Sequence, residues 1–294
     1  MTLIQTLLTP EFVIQVSDRR LSAGGEIRDD TYNKAISWCG MAIVGFTGGF
    51  AHVDYRLTEP LTNWIAGVLA SERTVKSGVD ALEVGMLQLV SKLSKWRKYR
   101  DRRLTITVAG IAPDAGTAFF RGLSNFEDGR QIITNPNLVE VFRWGYEVPL
   151  GGTQTVYTTA GADLGGSFNR RKEGQKLAKI AQMGGINNAA RYMVELQRRV
   201  AKVEKAKGTN TVGEDAMVVS VPANLQRSHM ILMSSTDSDA IQGGEPNFSF
   251  VKSGSFSRER FAPLIACNGI VSTIFAKGDG DNQTIEFQRI NPPT

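Results

Sequence analysis

Apolar positions come in short runs at the start of the chain. Residues 2–8 and 11–18 read as two strands around the turn Thr9-Pro10-Glu11. In the second, Phe12, Ile14 and Val16 alternate with Val13, Gln15 and Ser17, the two-residue period of a strand. LSAGGEIRDD (21–30) reads as a loop with a glycine pair, and KAISW (34–38) and MAIVGFTG (41–48) as strands ending at Gly48-Gly49. The period then changes. Leu61, Trp64, Ile65 and Val68 fall at i, i+3, i+4 and i+7, and Val79, Leu82, Met86, Val90 and Leu93 continue in a second helix. Such stripes are core-facing surfaces.

Strands return with LTITVAGI (104–111) and TAFFRGLS (117–124), joined by the turn signal APDAG. VEVFRW (139–144) and TQTVYTTAG (153–161) extend the sheet. A second helical pair is expected over about 165–183 and 187–206, interrupted by GGINN, with Tyr192, Leu196, Val200 and Val203 on one face. AMVVSVP (216–222) is a further strand, closed by Pro222. From 223 onward the composition shifts. A polar, Gly/Ser-rich stretch, SSTDSDAIQGGEPNFS, precedes the short apolar segments FAPLIACNGIVSTIF and QTIEFQRI. Strands and helices in alternating blocks favour helices on the outer faces of stacked antiparallel sheets. The expected class is therefore α+β, a four-layer αββα sandwich over residues 2–222 with a β-rich C-terminal extension over 223–294.

Composition narrows the possibilities. Of 294 residues, 41% are hydrophobic and 21% charged, enough for an ordinary core. No window approaches the roughly 18 apolar residues of a membrane span, and the start lacks a basic-then-apolar secretory signal. A cytoplasmic protein is expected. The two cysteines, Cys39 and Cys267, are far apart and show no metal-ligand or disulfide spacing, so buried free thiols are expected. His52 and His229 are the only histidines, which leaves little for a histidine triad or a zinc site; no metal or cofactor is expected. Much of the net charge of +5 sits in KLSKWRKYRDRR, Lys92 to Arg103. Interleaved Trp96 and Tyr99 make a nucleic-acid patch conceivable, but a basic helix C-terminus followed by a solvated turn is the simpler account.

The candidate chemistry lies at the N-terminus. Thr2 is small enough to permit removal of Met1, which puts a free α-amine and a hydroxyl on one residue. A hydroxyl needs a base to become a nucleophile. An α-amine titrates near about 7.7–8.0, so it can serve without a histidine. By itself Thr2 is no more than a processed terminus; its spacing from four other residues changes that. Asp18 stands 16 residues after Thr2, Arg20 two beyond it, Lys34 at 32 within YNKAI and Gly48 at 46 within FTGGF.

These positions resemble the proteasome β-subunit branch of the N-terminal-nucleophile hydrolases, in which an N-terminal threonine is followed at the same offsets by Asp, Arg, Lys and Gly. The resemblance covers about residues 2–222 and includes the order of strands and helix pairs. It implies that Lys34 lies beside Thr2 and stabilises alkoxide character on its oxygen, that Asp18 pairs with Lys34, and that the Gly48 N–H faces the developing oxyanion. It further implies a homo-oligomer, ring-shaped in the family, acting on peptide or amide bonds. With Thr2 directly after Met1, activation is expected to need only removal of Met1. The chain departs from the family in two places. Ala162 and Asp163 stand where a Ser-rich GSGS is usual, and in KGTNTVGED Gly208 and Thr211 stand where Asp and Ser support the nucleophile. Thr211 offers a hydroxyl in place of the serine. Phe46 matches a position that floors the substrate pocket, and its bulk implies small side chains at the cleavage site. A small-molecule amidase on the same fold, and a non-catalytic assembly subunit, are the alternatives.

Overall fold

The computed structural model describes residues 2–23, 26–29, 32–54, 56–95, 101–129, 132, 136–137, 139–161, 169–209, 211–223, 232–235, 264–277 and 284–290. Met1, Ala162, Asp163, His229 and the stretch 96–100 of the basic run lie outside them. It is a mixed structure of helices and two large sheets. The first half runs β1 (Leu3–Leu8), β2 (Phe12–Asp18), β3 (Leu21–Ala23), β4 (Glu26–Asp29), β5 (Ala35–Trp38), β6 (Ala42–Gly48), α1 (Leu61–Ala70) and α2 (Val75–Ser94). There follow β7 (Leu104–Ala112), β8 (Thr117–Ser124), β9 (Phe142–Pro149), β10 (Val156–Gly161), α3 (Arg170–Ala206) and β11 (Ala216–Pro222). Last come β12 (Leu232–Ser235), β13 (Leu264–Cys267), β14 (Ile270–Lys277) and β15 (Thr284–Ile290).

Among the described residues, one sheet has the order β10-β1-β2-β11-β12 and the other β15-β14-β13-β5-β6-β7-β8-β9. Every neighbour is antiparallel except β13, which runs parallel to β5. The strands after residue 223 thus add to both sheets. The segment 21–30 departs from the loop expectation: β3 and β4 pair as a small antiparallel ribbon. Its larger apolar side chains are the half-buried Leu21 and the exposed Ile27, so no alternating apolar pattern announces it.

Both faces of β1 and β2 are buried along their whole length. Ile14 and Val16 pack with Leu177, Met193 and Val194 of α3. Val13 turns the other way, towards Ile43, Ala109 and Phe120 of the second sheet. The polar alternates are buried too: Gln15 sits between the sheets and donates to Thr107 Oγ1 at 3.0 Å. On the far side of the second sheet, Ile36, Trp38, Val44 and Phe46 pack with Leu61, Ile65, Leu82 and Met86 from α1 and α2. Each such aliphatic side chain, fully buried, contributes about 1.5–3 kcal/mol.

The helix stripes are where the periodicity puts them, and their ends have physical stops. Thr74 closes a capping box with Ser77 at the start of α2, and Asn169 accepts from the Lys172 amide at the start of α3. The expected break at GGINN is a kink within one run: Gly185, with φ 65 and ψ −162, departs from helical geometry between the two halves of α3. Glycine alone adopts such a conformation without penalty.

Candidate active site

Several strand ends meet at one place. β1 starts at Leu3, one residue after Thr2, and β2 ends at Asp18. The two strands pair with Ile4 opposite Ser17, so Leu3 and Asp18 come side by side. The Leu3 amide donates to Asp18 Oδ2 at 2.8 Å. On the other flank of β1, Gly161 at the end of β10 lies opposite Leu3. From the second sheet, Lys34 stands at the entrance to β5 and Thr47 near the end of β6. Thr47 clamps the backbone of residue 2: its Oγ1 accepts from Thr2 N at 3.1 Å and donates to Thr2 O at 3.0 Å.

Lys34 is the hub. Its Nζ donates to Thr2 Oγ1 at 2.5 Å, to Asp18 Oδ1 at 3.1 Å and to the Arg20 carbonyl. An ammonium has three donors, and here each has an acceptor. Lys34 is 2% exposed, Asp18 0% and Thr2 5%. Burial lowers the Lys34 pKa below its usual value; the Asp18 charge opposes the shift without cancelling it. A proton on Nζ is therefore easier to give up than in water. When it leaves, Nζ keeps two donors for Asp18 and Arg20 O and gains a lone pair aimed at the Thr2 hydroxyl. Asp18 is anchored independently, since Oδ1 also accepts from Arg20 N at 2.9 Å.

Gly48 ends β6, one residue after Thr47. It lies opposite Leu104 of β7, and Gly49 N donates to Arg103 O at 2.8 Å. In an antiparallel ladder that makes Gly48–Leu104 a non-hydrogen-bonded pair, so the Gly48 amide points away from β7. On that side lies β5, whose pairing with β6 begins at Ala35–Gly45, short of Gly48. Gly161 shows a close approach of a different kind. Its φ is 91, and a Cβ there would lie 2.2 Å from Thr2 O and 2.6 Å from Thr47 Oγ1, so only glycine fits.

The structure thus brings Thr2, Asp18 and Lys34 into one hydrogen-bonded cluster. Arg20 joins it through its main chain; its guanidinium turns to Val212 O at 3.3 Å. Thr211 Oγ1 donates to Glu204 Oε2 at 3.1 Å on the last turns of α3. Phe46 is 2% exposed in the core beneath α1 and α2 and meets Tyr32 edge-on, ring centroids 6.3 Å apart.

Among the buried charges that sequence did not single out are two beside strand ends. Arg19, 1% exposed, pairs with Asp215 at 3.1 Å and ties the end of β2 to the start of β11. Glu127, 5% exposed, accepts from Thr105 Oγ1 and from the Gly161 amide at 3.1 Å, one strand away from Thr2. Only a lone acid after a strand marked it in the sequence. Burial raises the Glu127 pKa above the usual carboxylate value of 4.5, against the opposing donors. As pH rises past 4.5, the unfolded chain therefore loses this proton first. Stability falls across the window from there to the raised native value and is level above it. Denaturation of the wild type and Glu127→Gln from about pH 4 to about 8 reads this out. The wild type is expected to lose ground against the variant across that window, whereas a constant difference would contradict the raised value.

No protein-family model matches the chain, and no curated protein matches it significantly. Among the described residues, no helix is long and apolar enough to cross a membrane.

Proposed function

We propose that this chain is a threonine-type N-terminal-nucleophile hydrolase, similar to proteasome β-subunits, that cleaves peptide or amide bonds after removal of Met1. The observation that carries the proposal is the buried contact of Lys34 Nζ with Thr2 Oγ1 at 2.5 Å, backed by Asp18. The two stacked sheets with helices packed on their outward faces agree with the αββα sandwich of that family.

In this reading Thr2 Oγ1 attacks the substrate carbonyl carbon. Its proton passes to the freed α-amine, with Lys34 stabilising the oxygen it leaves. The carbonyl oxygen becomes an oxyanion facing the Gly48 N–H, a preorganised donor of a kind worth about 2.7–4 kcal/mol of barrier. The C–N bond breaks, the leaving amine takes the proton, and an ester remains on Thr2. Water then attacks the ester by the same route and restores the hydroxyl.

The test is a β-lactone or epoxyketone probe on purified protein, followed by intact-mass and peptide mass spectrometry. The expected result is loss of Met1 and a single adduct on Thr2. Met1-free protein that takes up no probe overturns the proposal. Retained Met1 also counts against it and favours the non-catalytic assembly subunit, a reading that the engagement of Thr211 by Glu204 supports. Unfolded protein and fluorogenic peptides, set against small amides, separate a peptidase from a small-molecule amidase. The buried Phe46 predicts a preference for small side chains at the cleaved residue. Sedimentation of the same sample tests for a ring-shaped homo-oligomer.

A further inference from the structure

The two cysteines, remote in sequence, are neighbours in space. β13 runs parallel to β5 with Ala266 opposite Trp38, so the next residue on each strand is a cysteine. The Cys39 amide donates to Ala266 O at 2.9 Å, holding the two strand ends together. Both strands turn back at once. Cys39 and Gly40 have φ of 49 and 67, and Asn268 and Gly269 have φ of 50 and 75. These are left-handed conformations typical of tight hairpin turns, and they set the two hairpins β5–β6 and β13–β14 side by side. The Cys267 thiol is close enough to the Cys39 thiol to act on its titration. Both side chains are half-buried and reachable by a small molecule. Neighbouring strands lie about 4.8 Å apart, inside the Cα separation of about 4.4–6.8 Å that a disulfide spans. Both thiols are free, as expected, but half-buried rather than buried, and an unusual parallel pairing, which no local pattern encodes, brings them together.

We propose that Cys39 and Cys267 form a redox modification site, in which a peroxide converts the two thiols into an intramolecular disulfide that staples β13–β15 to the β5–β6 hairpin. One sulfur, as thiolate, attacks a peroxide oxygen. The O–O bond breaks, water departs, and a sulfenic acid remains. The second sulfur attacks the sulfenic sulfur and displaces its hydroxyl as a second water. Two thiols and one hydrogen peroxide give one disulfide and two waters. A dithiol reductant reverses the bridge by exchange.

The staple has a reach beyond its own hairpins. β5 follows directly from Lys34, so the bridge fixes the far end of the strand that leads from the hub of the candidate site. Burial pushes the Cys39 thiol up to about 11, and the adjoining Cys267 thiol adds to the rise. Thiolate is therefore scarce at neutral pH. The pair responds to sustained oxidation rather than to a brief pulse.

The experiment uses the full chain. Protein treated with hydrogen peroxide is alkylated under denaturing conditions and digested without reductant. The expected product is one peptide pair joined through Cys39 and Cys267, about 2 Da below the sum of the two free peptides. The oxidised protein should melt about 5 °C or more above the reduced one, because the bridge closes a loop of most of the chain. Dithiothreitol should abolish the rise. Cys39→Ser and Cys267→Ser should each form no linked pair and show no rise. Separate sulfinic or sulfonic adducts on the two cysteines, or cross-links only between molecules, overturn the proposal.

Discussion

Lys34→Met is expected to remove nearly all of the proposed hydrolytic activity. The side chain keeps much of its length, and Thr2, Asp18 and Gly48 keep their strands, yet Thr2 Oγ1 loses the group 2.5 Å away that favours its deprotonated form. Positioned proton-transfer and charge-stabilising groups are typically worth about 10²–10⁴ in rate. Loss of that charge stabilisation in a site this dry places the expected fall in kcat at the upper end, about 10⁴-fold. Labelling of Thr2 by an epoxyketone falls with it. Stopped substrate assays on refolded, Met1-free protein check the result, with circular dichroism to show that the fold survives. Activity within about tenfold of wild type would remove Lys34 from the chemistry.

Asp18→Ala has its largest effect on stability and does not depend on any enzymatic reading. The substitution leaves the Lys34 ammonium buried at 2% exposure without its counter-charge. It also strips acceptors from the amides of Leu3 and Arg20. Breaking a buried pair by deleting one partner costs about 3–5 kcal/mol, and each orphaned buried donor adds about 1–3 kcal/mol. A loss of about 5 kcal/mol, or a thermal midpoint lower by about 10 °C, is expected. Asp18→Asn also removes the counter-charge but keeps one acceptor oxygen, so it should recover only the share of a hydrogen bond, about 1–3 kcal/mol. Urea unfolding of the three proteins measures the series. Equal costs for alanine and asparagine would mean that the charge, and not the hydrogen bonds, holds the cluster.

Much of the candidate site was readable because it is built from fixed offsets along strands. Asp18 was singled out through the resemblance, and the β1–β2 hairpin accounts for it by setting Asp18 beside Leu3, one residue after Thr2. Lys34 was readable only through resemblance, since its meeting with Thr2 crosses from one sheet to the other. The role of Arg20 was half legible: the residue is at the site, but through its carbonyl, and side-chain type says nothing of that. Glu127 and Arg19 are buried charges on stretches that look like ordinary solvated ends. Their partners, Gly161 and Asp215, lie far away in sequence. Helices announced themselves by period, and the glycine pair of GGINN marked where α3 breaks, whereas the β3–β4 ribbon did not show. A ribbon without an apolar face has no pattern to show.

The parallel pairing of β13 with β5 has a bearing on how the protein is made. Ile36 leaves the ribosome early and its neighbour Leu264 very late. One flank of the strand leading from Lys34 thus stays open during most of translation, and contacts this remote slow folding. A nascent chain therefore cannot finish the larger sheet, or flank the strand leading from Lys34 on both sides, until β13 has been made.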